Sequence, residues 1–181
     1  TLSATWRSIN QFTSASSDFE TETGTLAADY GWPISEFQSV RAGLAIQRSD
    51  LVTDPNGSSQ EAVDWVRNNG NTYTERVSFG VPPISTEFYG TEFDTFSLTL
   101  GWGFDSRNRG IFADQGARHR MNLSYTIPGS DVEFYTVNYD YLQFLPMSKW
   151  FTLLNSFELG YGFDIGDTTS IPPYRRFFGG G

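Results

Sequence analysis

His119 is the only histidine in the sequence, and cysteine is absent. Thiol catalysis, disulfide scaffolds and Cys-ligated zinc are therefore excluded, and a histidine-rich metal site cannot be built from this chain. A barrel phospholipase needs a His–Ser couple. His119 stands between Arg118 and Arg120 near the start of an alternating segment, and alternation turns it toward the apolar side, away from any nucleophile. No G-x-S-x-G, phosphate-binding loop or H-E-x-x-H pattern occurs. Asp105, Asp114, Asp164 and Asp167 could offer calcium ligands, but none falls in the spacing of a helix–loop–helix calcium site. The pairs Gly101-x-Gly103 and Gly160-x-Gly162 lie on strand faces and read as room or curvature, not as nucleotide loops. No catalytic group, metal or cofactor is expected, and the chain is not expected to be an enzyme. What remains is a set of large charges among small polar residues: Arg7, Arg41, Arg120, Asp140 and Glu158.

The elements that carry those charges show a period of two. Phe96, Leu98, Leu100, Trp102 and Phe104 alternate with Ser97, Thr99, Gly101 and Gly103. Leu123 and Tyr125 continue the apolar face in the next segment, Val137 and Tyr139 in the one after, and Leu153 in the last. Seven strands are expected, at about 1–13, 20–32, 37–51, 93–105, 117–127, 132–144 and 149–163. Globular strands run about 5–6 residues, whereas a tilted strand crossing a bilayer needs about 9–11. Alternation also fits a soluble β-sandwich. Against that stand the strand lengths, the aromatics near the ends of the apolar face, and an opposite face of Gly, Ser, Thr and Asn where a soluble protein would place Lys and Glu. The reading is all-β: a transmembrane antiparallel up-and-down β-barrel, with Arg7, Arg41, Arg120, Asp140 and Glu158 toward the lumen. Phe96, Leu98, Leu100, Leu123, Tyr125, Val137, Tyr139 and Leu153 then face lipid.

Composition agrees. Aromatics make up 17% of the 181 residues, too many for a disordered acidic chain, and 12 Lys and Arg against 21 Asp and Glu argue against nucleic acid as a partner. No apolar run approaches the roughly 18 residues of a membrane helix.

Strand parity sorts the connections into two groups. Links 33–36, 106–116 and 145–148 share one end; 14–19, 52–92, 128–131 and everything after 163 share the other. Outer-membrane barrels keep short turns in the periplasm, so 52–92 is expected outside. Trp32, Phe37, Phe104, Phe144 and Trp150 fall at the short-turn end and read as an interfacial girdle. Within 52–92, Ser58-Ser59-Gln60-Glu61 looks like a capping box, and Ala62, Val63, Trp65 and Val66 follow at helical spacing. A helix of about ten residues on the outer surface, ended by Gly70, is expected. The chain opens in what reads as mid-strand and closes inside a loop, as a piece of a larger barrel would.

Several stretches resemble the BamA family of outer-membrane protein assembly factors. They are the strand and turn Gly101-Trp102-Gly103-Phe104-Asp105-Ser106-Arg107 through Gly116, the hairpin around Pro128-Gly129-Ser130-Asp131, and Glu158-Leu159-Gly160-Tyr161-Gly162. Gly31-Trp32-Pro33-Ile34-Ser35-Glu36 resembles an earlier periplasmic turn. Pro172-Pro173-Tyr174-Arg175-Arg176-Phe177-Phe178-Gly179-Gly180 resembles the start of that family's inward-folding loop. The resemblance implies about seven strands of a sixteen-stranded barrel in the bacterial outer membrane, preceded by periplasmic POTRA domains. It divides the sequence into wall strands over 1–163 and the beginning of the long loop over 164–181. Implied substrates are unfolded outer-membrane proteins, inserted without ATP at a weak seam outside this sequence. Implied partners are the lipoproteins of an assembly complex, mainly through the periplasmic domains, together with outer-membrane lipid and lipopolysaccharide. A related barrel exporting proteins, or a passive porin-like channel, remains open. Tyr174 to Gly181 is expected to run inward, with Asp140 and Glu158 offered as partners for Arg175 and Arg176.

Overall fold

The computed structural model describes residues 2–10, 19–79 and 84–176. The alternating segments form strands β1 (Leu2–Asn10), β2 (Phe19–Pro33), β3 (Gln38–Thr53), β5 (Ile84–Asp105), β6 (Gly116–Thr126), β7 (Phe134–Pro146) and β8 (Thr152–Asp164). They pair antiparallel, each with its neighbour, in the order β1-β2-β3-β5-β6-β7-β8. An eighth strand, β4 (Asn71–Phe79), lies inside the stretch read from sequence as the loop 52–92, and β5 begins at Ile84, not at 93. β5 is 22 residues long. Its last residues pair with β6, from Ser97↔Thr126 to Asp105↔Arg118, and its first pair with β4, from Ile84↔Phe79 to Glu92↔Asn71. Between the two partners, the edge of β5 is completed by the 127–131 segment, where Asp131 N donates to Asp94 O at 3.0 Å.

The register places every large apolar residue of the alternation on one face. Leu44↔Leu98, Leu100↔Leu123↔Val137 and Leu98↔Tyr125 run across neighbouring strands. Leu145↔Leu153 and Tyr139↔Leu159 continue the face onto β8. These side chains are not covered by protein: Leu44 is 58% exposed and Leu159 62% exposed, while Phe96 and Leu100 are also exposed. A face this apolar and this open in a water-soluble sheet would be an aggregation hazard; against hydrocarbon it is the favourable surface.

Aromatics gather on that face toward the short-turn end. Tyr30 and Trp32 lie edge to face at 4.4 Å. His119 sits among Trp102, Phe104, Tyr139 and Tyr141, with Nδ1 2.7 Å from the Tyr139 hydroxyl. Phe104 and Trp32 lie on this face near the short-turn end. Phe37 and Trp150 are in the turns preceding β3 and β8. Phe144 does not join them. It pairs with Gly116 and Leu154 and has the parity of Asp140, so it belongs to the polar face. Position near a strand end is not enough to assign a girdle residue, because the two-residue period alternates faces to the last residue.

The buried core is small and lies entirely on the polar face, at the end opposite the short turns. Phe19, Leu51, Phe93 and Phe134 rise from β2, β3, β5 and β7, joined by Val132. Helix α1 (Gln60–Asn68) supplies Trp65 and Val66 to cover them. Its cap is Ser59, whose side chain accepts from Ala62 N at 3.3 Å, one residue later than the pattern at Ser58 suggested. Ser58 instead closes the preceding turn, accepting from Asp54 N. Gly70 ends the helix at φ +70°, where a Cβ would lie 2.6 Å from Thr91 Oγ1.

Candidate functional site

The sequence-predicted charges occupy one face in an ordered way. Arg120, Asp140 and Glu158 are direct cross-strand neighbours on β6, β7 and β8. Arg41 stands opposite Gly101, which stands opposite Asn122. Arg7 holds the register position opposite Thr23. Asp105 is not free for a metal: it is held by Arg107 through two bonds of 2.7 and 2.8 Å. Asp114 is hydrogen-bonded to Asn108. No cluster of three acidic or histidine side chains forms among the described residues.

The other end of the same face is occupied by the segment that follows β8. Ile165 N donates to Glu133 O, and Glu133 N to Thr168 Oγ1. The chain then meets α1. Trp65 Nε1 donates to Ser170 O at 2.7 Å. The Asn69 amide works in both directions, donating to Thr169 Oγ1 at 2.7 Å and accepting from Thr169 N at 3.0 Å. Gly162 makes room for the segment, since a Cβ there would meet Ile171 Cδ1 at 2.6 Å. A short 3-10 turn at Pro173–Arg175 then drops Tyr174 onto the core.

Tyr174 stacks on Phe93 with ring centroids 6.4 Å apart, and its hydroxyl lies 3.2 Å from Gln47 Nε2 and 3.3 Å from Ser49 Oγ. Gln47 and Ser49 are inward-facing residues of β3 that no sequence pattern singles out. Burial pushes the Tyr174 phenol above its ordinary value, so it stays a neutral donor or acceptor. Arg175 donates to Gln47 Oε1 at 2.8 Å. Arg176 pairs with Glu61 of α1 at 2.7 Å and donates to Ser170 Oγ and Ile171 O. The expected partners Asp140 and Glu158 are not used. They sit at the level of Arg120, toward the short turns, whereas Arg175 and Arg176 stay beside β3 and α1 at the far end. Phe177, Phe178, Gly179 and Gly180 lie outside the described residues.

This arrangement binds chain to chain. It fixes a connecting segment on the polar face through a buried aromatic anchor and a polar seam to a surface helix. The strongest signals in sequence were the paired prolines and Tyr174. Trp65 was visible as a helix-face residue, but its role as a donor to residue 170 was not.

The chain is 25% identical over 163 residues to the outer membrane protein assembly factor BamA of Neisseria meningitidis serogroup B, covering 90% of this chain and 19% of that protein. The chain thus spans about a fifth of its curated relative. Its fold matches the crystal structure of BamA from Haemophilus ducreyi lacking POTRA domains 1-3, with a TM-score of 0.76 at 20% identity, over 99% of this chain and 32% of that one. The sheet is therefore a stretch of β-barrel wall. The Omp85 superfamily domain matches residues 1–181, and the chain belongs to the Omp85 superfamily.

Proposed function

We propose that this chain forms part of the barrel of an outer-membrane insertase that folds and inserts β-barrel proteins into the bacterial outer membrane without ATP. Unfolded outer-membrane proteins are its substrates, and assembly-complex lipoproteins and lipopolysaccharide-containing lipid its surroundings. The observation that carries this reading is the match of the whole chain to the Omp85 superfamily, together with a curated relative named as an assembly factor. The geometry supports it in one respect. The polar face, which lines the lumen in this reading, is covered at its far end by α1 and residues 165–176 rather than left open as a passive pore would need. Membrane insertion of other barrels calls for binding and alignment of strands, not for a catalytic group, and the site holds none among the described residues.

Depletion of the full-length parent tests the reading. Loss of heat-resistant, folded forms of unrelated outer-membrane barrels, before any loss of membrane conductance, is the expected result. Unaltered assembly of those barrels would sink it.

A further inference from the structure

The apolar face is interrupted at one place, near the turn that joins β7 to β8. Along β7 its residues are Tyr139, Tyr141, Gln143 and Leu145, paired in that order with Leu159, Phe157, Asn155 and Leu153 of β8. Gln143 and Asn155 are thus direct cross-strand neighbours, two carboxamides with apolar residues on either side. Asn155 is exposed and Gln143 half-buried. Ala117, the neighbour of Gln143 on β6, has no polar side chain to offer. Gln143 Oε1 accepts from the Tyr141 hydroxyl, which leaves Gln143 Nε2 without a partner among the described residues; the Asn155 amide has none there either. His119 lies against Tyr141, with ring centroids 5.0 Å apart, and its Nδ1 is engaged by the Tyr139 hydroxyl. An amide turned to hydrocarbon without a partner is costly. The charge of this hairpin end also departs from the rest of the chain. From Tyr141 to Phe157 there is no Asp or Glu and one cation, Lys149 in the exposed turn, whereas the whole chain has a net charge of −9. Met147, Trp150 and Phe151 of the same turn are exposed as well.

We propose that this hairpin end binds the headgroup of a glycerophospholipid from the leaflet on the short-turn side, its phosphodiester held by the Gln143 and Asn155 amides and by Lys149. The free valences select the ligand. They are mostly N–H donors, and the phosphodiester and acyl-ester oxygens of such a lipid are acceptors only. A polypeptide partner would bring donors as well as acceptors, with no surplus to match. Lys149, a point charge on a flexible stem, adds the positive charge that an anionic phosphate favours, with no acid in the hairpin end to compete for it. Leu145, Leu153 and Phe157 offer the acyl chains an apolar surface, and Trp150 is an interfacial ring. The inference rests on the wall lying in a membrane and not on the insertase reading.

The test uses the full-length parent, reconstituted in vesicles of phosphatidylethanolamine and phosphatidylglycerol, extracted into mild detergent and weighed by native mass spectrometry. Retained phospholipid is expected on the parent. Gln143→Leu combined with Asn155→Leu should lower the retained fraction several-fold, and Lys149→Gln should lower it by a smaller factor. Asn138→Ala, on the opposite face of β7, should leave it unchanged. Heat-resistant migration on gels shows that each variant is folded; if the double variant is not, Lys149→Gln in the exposed turn decides. A parallel preparation in vesicles of digalactosyl diacylglycerol, which has the ester oxygens but no phosphate, should give little retained lipid. Equal retention there would overturn the phosphodiester assignment. No retained lipid on the parent would overturn the site itself, leaving the amides to interfacial water. Retention indifferent to Gln143, Asn155 and Lys149 would do the same. None of these outcomes depends on insertase activity, so failure here is distinguishable from failure of the proposed function.

Discussion

The two faces of this sheet solve opposite problems with the same strands. On one, Leu44, Phe96, Leu100 and Leu159 are bare of protein cover; on the other, Phe19, Leu51, Phe93 and Trp65 are almost completely buried. β3 contributes to both, Leu44 and Ile46 outward, Leu51 inward, within one run of alternating residues. The difference teaches that hydrophobicity does not locate the core here. An apolar face on a barrel wall needs no protein partner where it meets hydrocarbon. The polar face needs a core only where a chain segment must be fixed to it, and there it has one, built from α1 and Tyr174.

Breaking the covered side should have the largest effect. Trp65→Ala removes a buried aromatic and its bond to Ser170 O, a loss of about 3–5 kcal/mol of local packing. Residues 165–176 should then become susceptible to protease added to intact cells, while the wall stays folded. Unchanged resistance would mean the segment is held by something other than α1.

The bare side should break differently. Leu98→Arg or Leu123→Arg should cost about 2–4 kcal/mol if the position is near the bilayer midplane, whereas Thr99→Arg, one residue on and facing inward, should cost much less. An assembly or unfolding assay that ranks Leu98 and Thr99 as equally tolerant would erase the distinction between the faces.

Asn69→Ala sharpens the comparison by removing only the polar seam. Thr169 N loses its acceptor and Trp65 O its donor, a loss of about 1–3 kcal/mol. Proteolysis of the segment should speed up less than in Trp65→Ala. Glu61→Gln should do least. The Glu61 side chain is 73% exposed, and an exposed pair such as its bridge to Arg176 contributes no more than about 1 kcal/mol. A loss at Glu61 comparable to that at Trp65 would show that charge, not packing, holds the cover.

Much of this was legible in the residues themselves. Alternation from Phe96 to Phe104 fixed the strand and its two faces, and the same parity, followed through β7, is enough to turn Phe144 inward. The capping box at Ser58, the helix-face position of Trp65 and the stop at Gly70 marked the helix, with the cap one residue early. β4 was hidden, because Thr72, Tyr73, Thr74 and Val77 have strand propensity without a clear apolar face, and among the described residues it pairs with β5 alone.

Period two is a local property: it depends on the geometry of successive residues and is written directly in the order of side chains. Which side chain meets which across a hundred residues is not. Asn69 with Thr169, Trp65 with Ser170 and Arg175 with Gln47 depend on register and on how far the segment after β8 travels before it turns. The sequence could say that Arg175 and Arg176 needed polar partners. Only the tertiary structure decided that these were Gln47 and Glu61 rather than Asp140 and Glu158, because the short turn at Pro173–Arg175 halts the chain beside β3, before it reaches the level of Arg120.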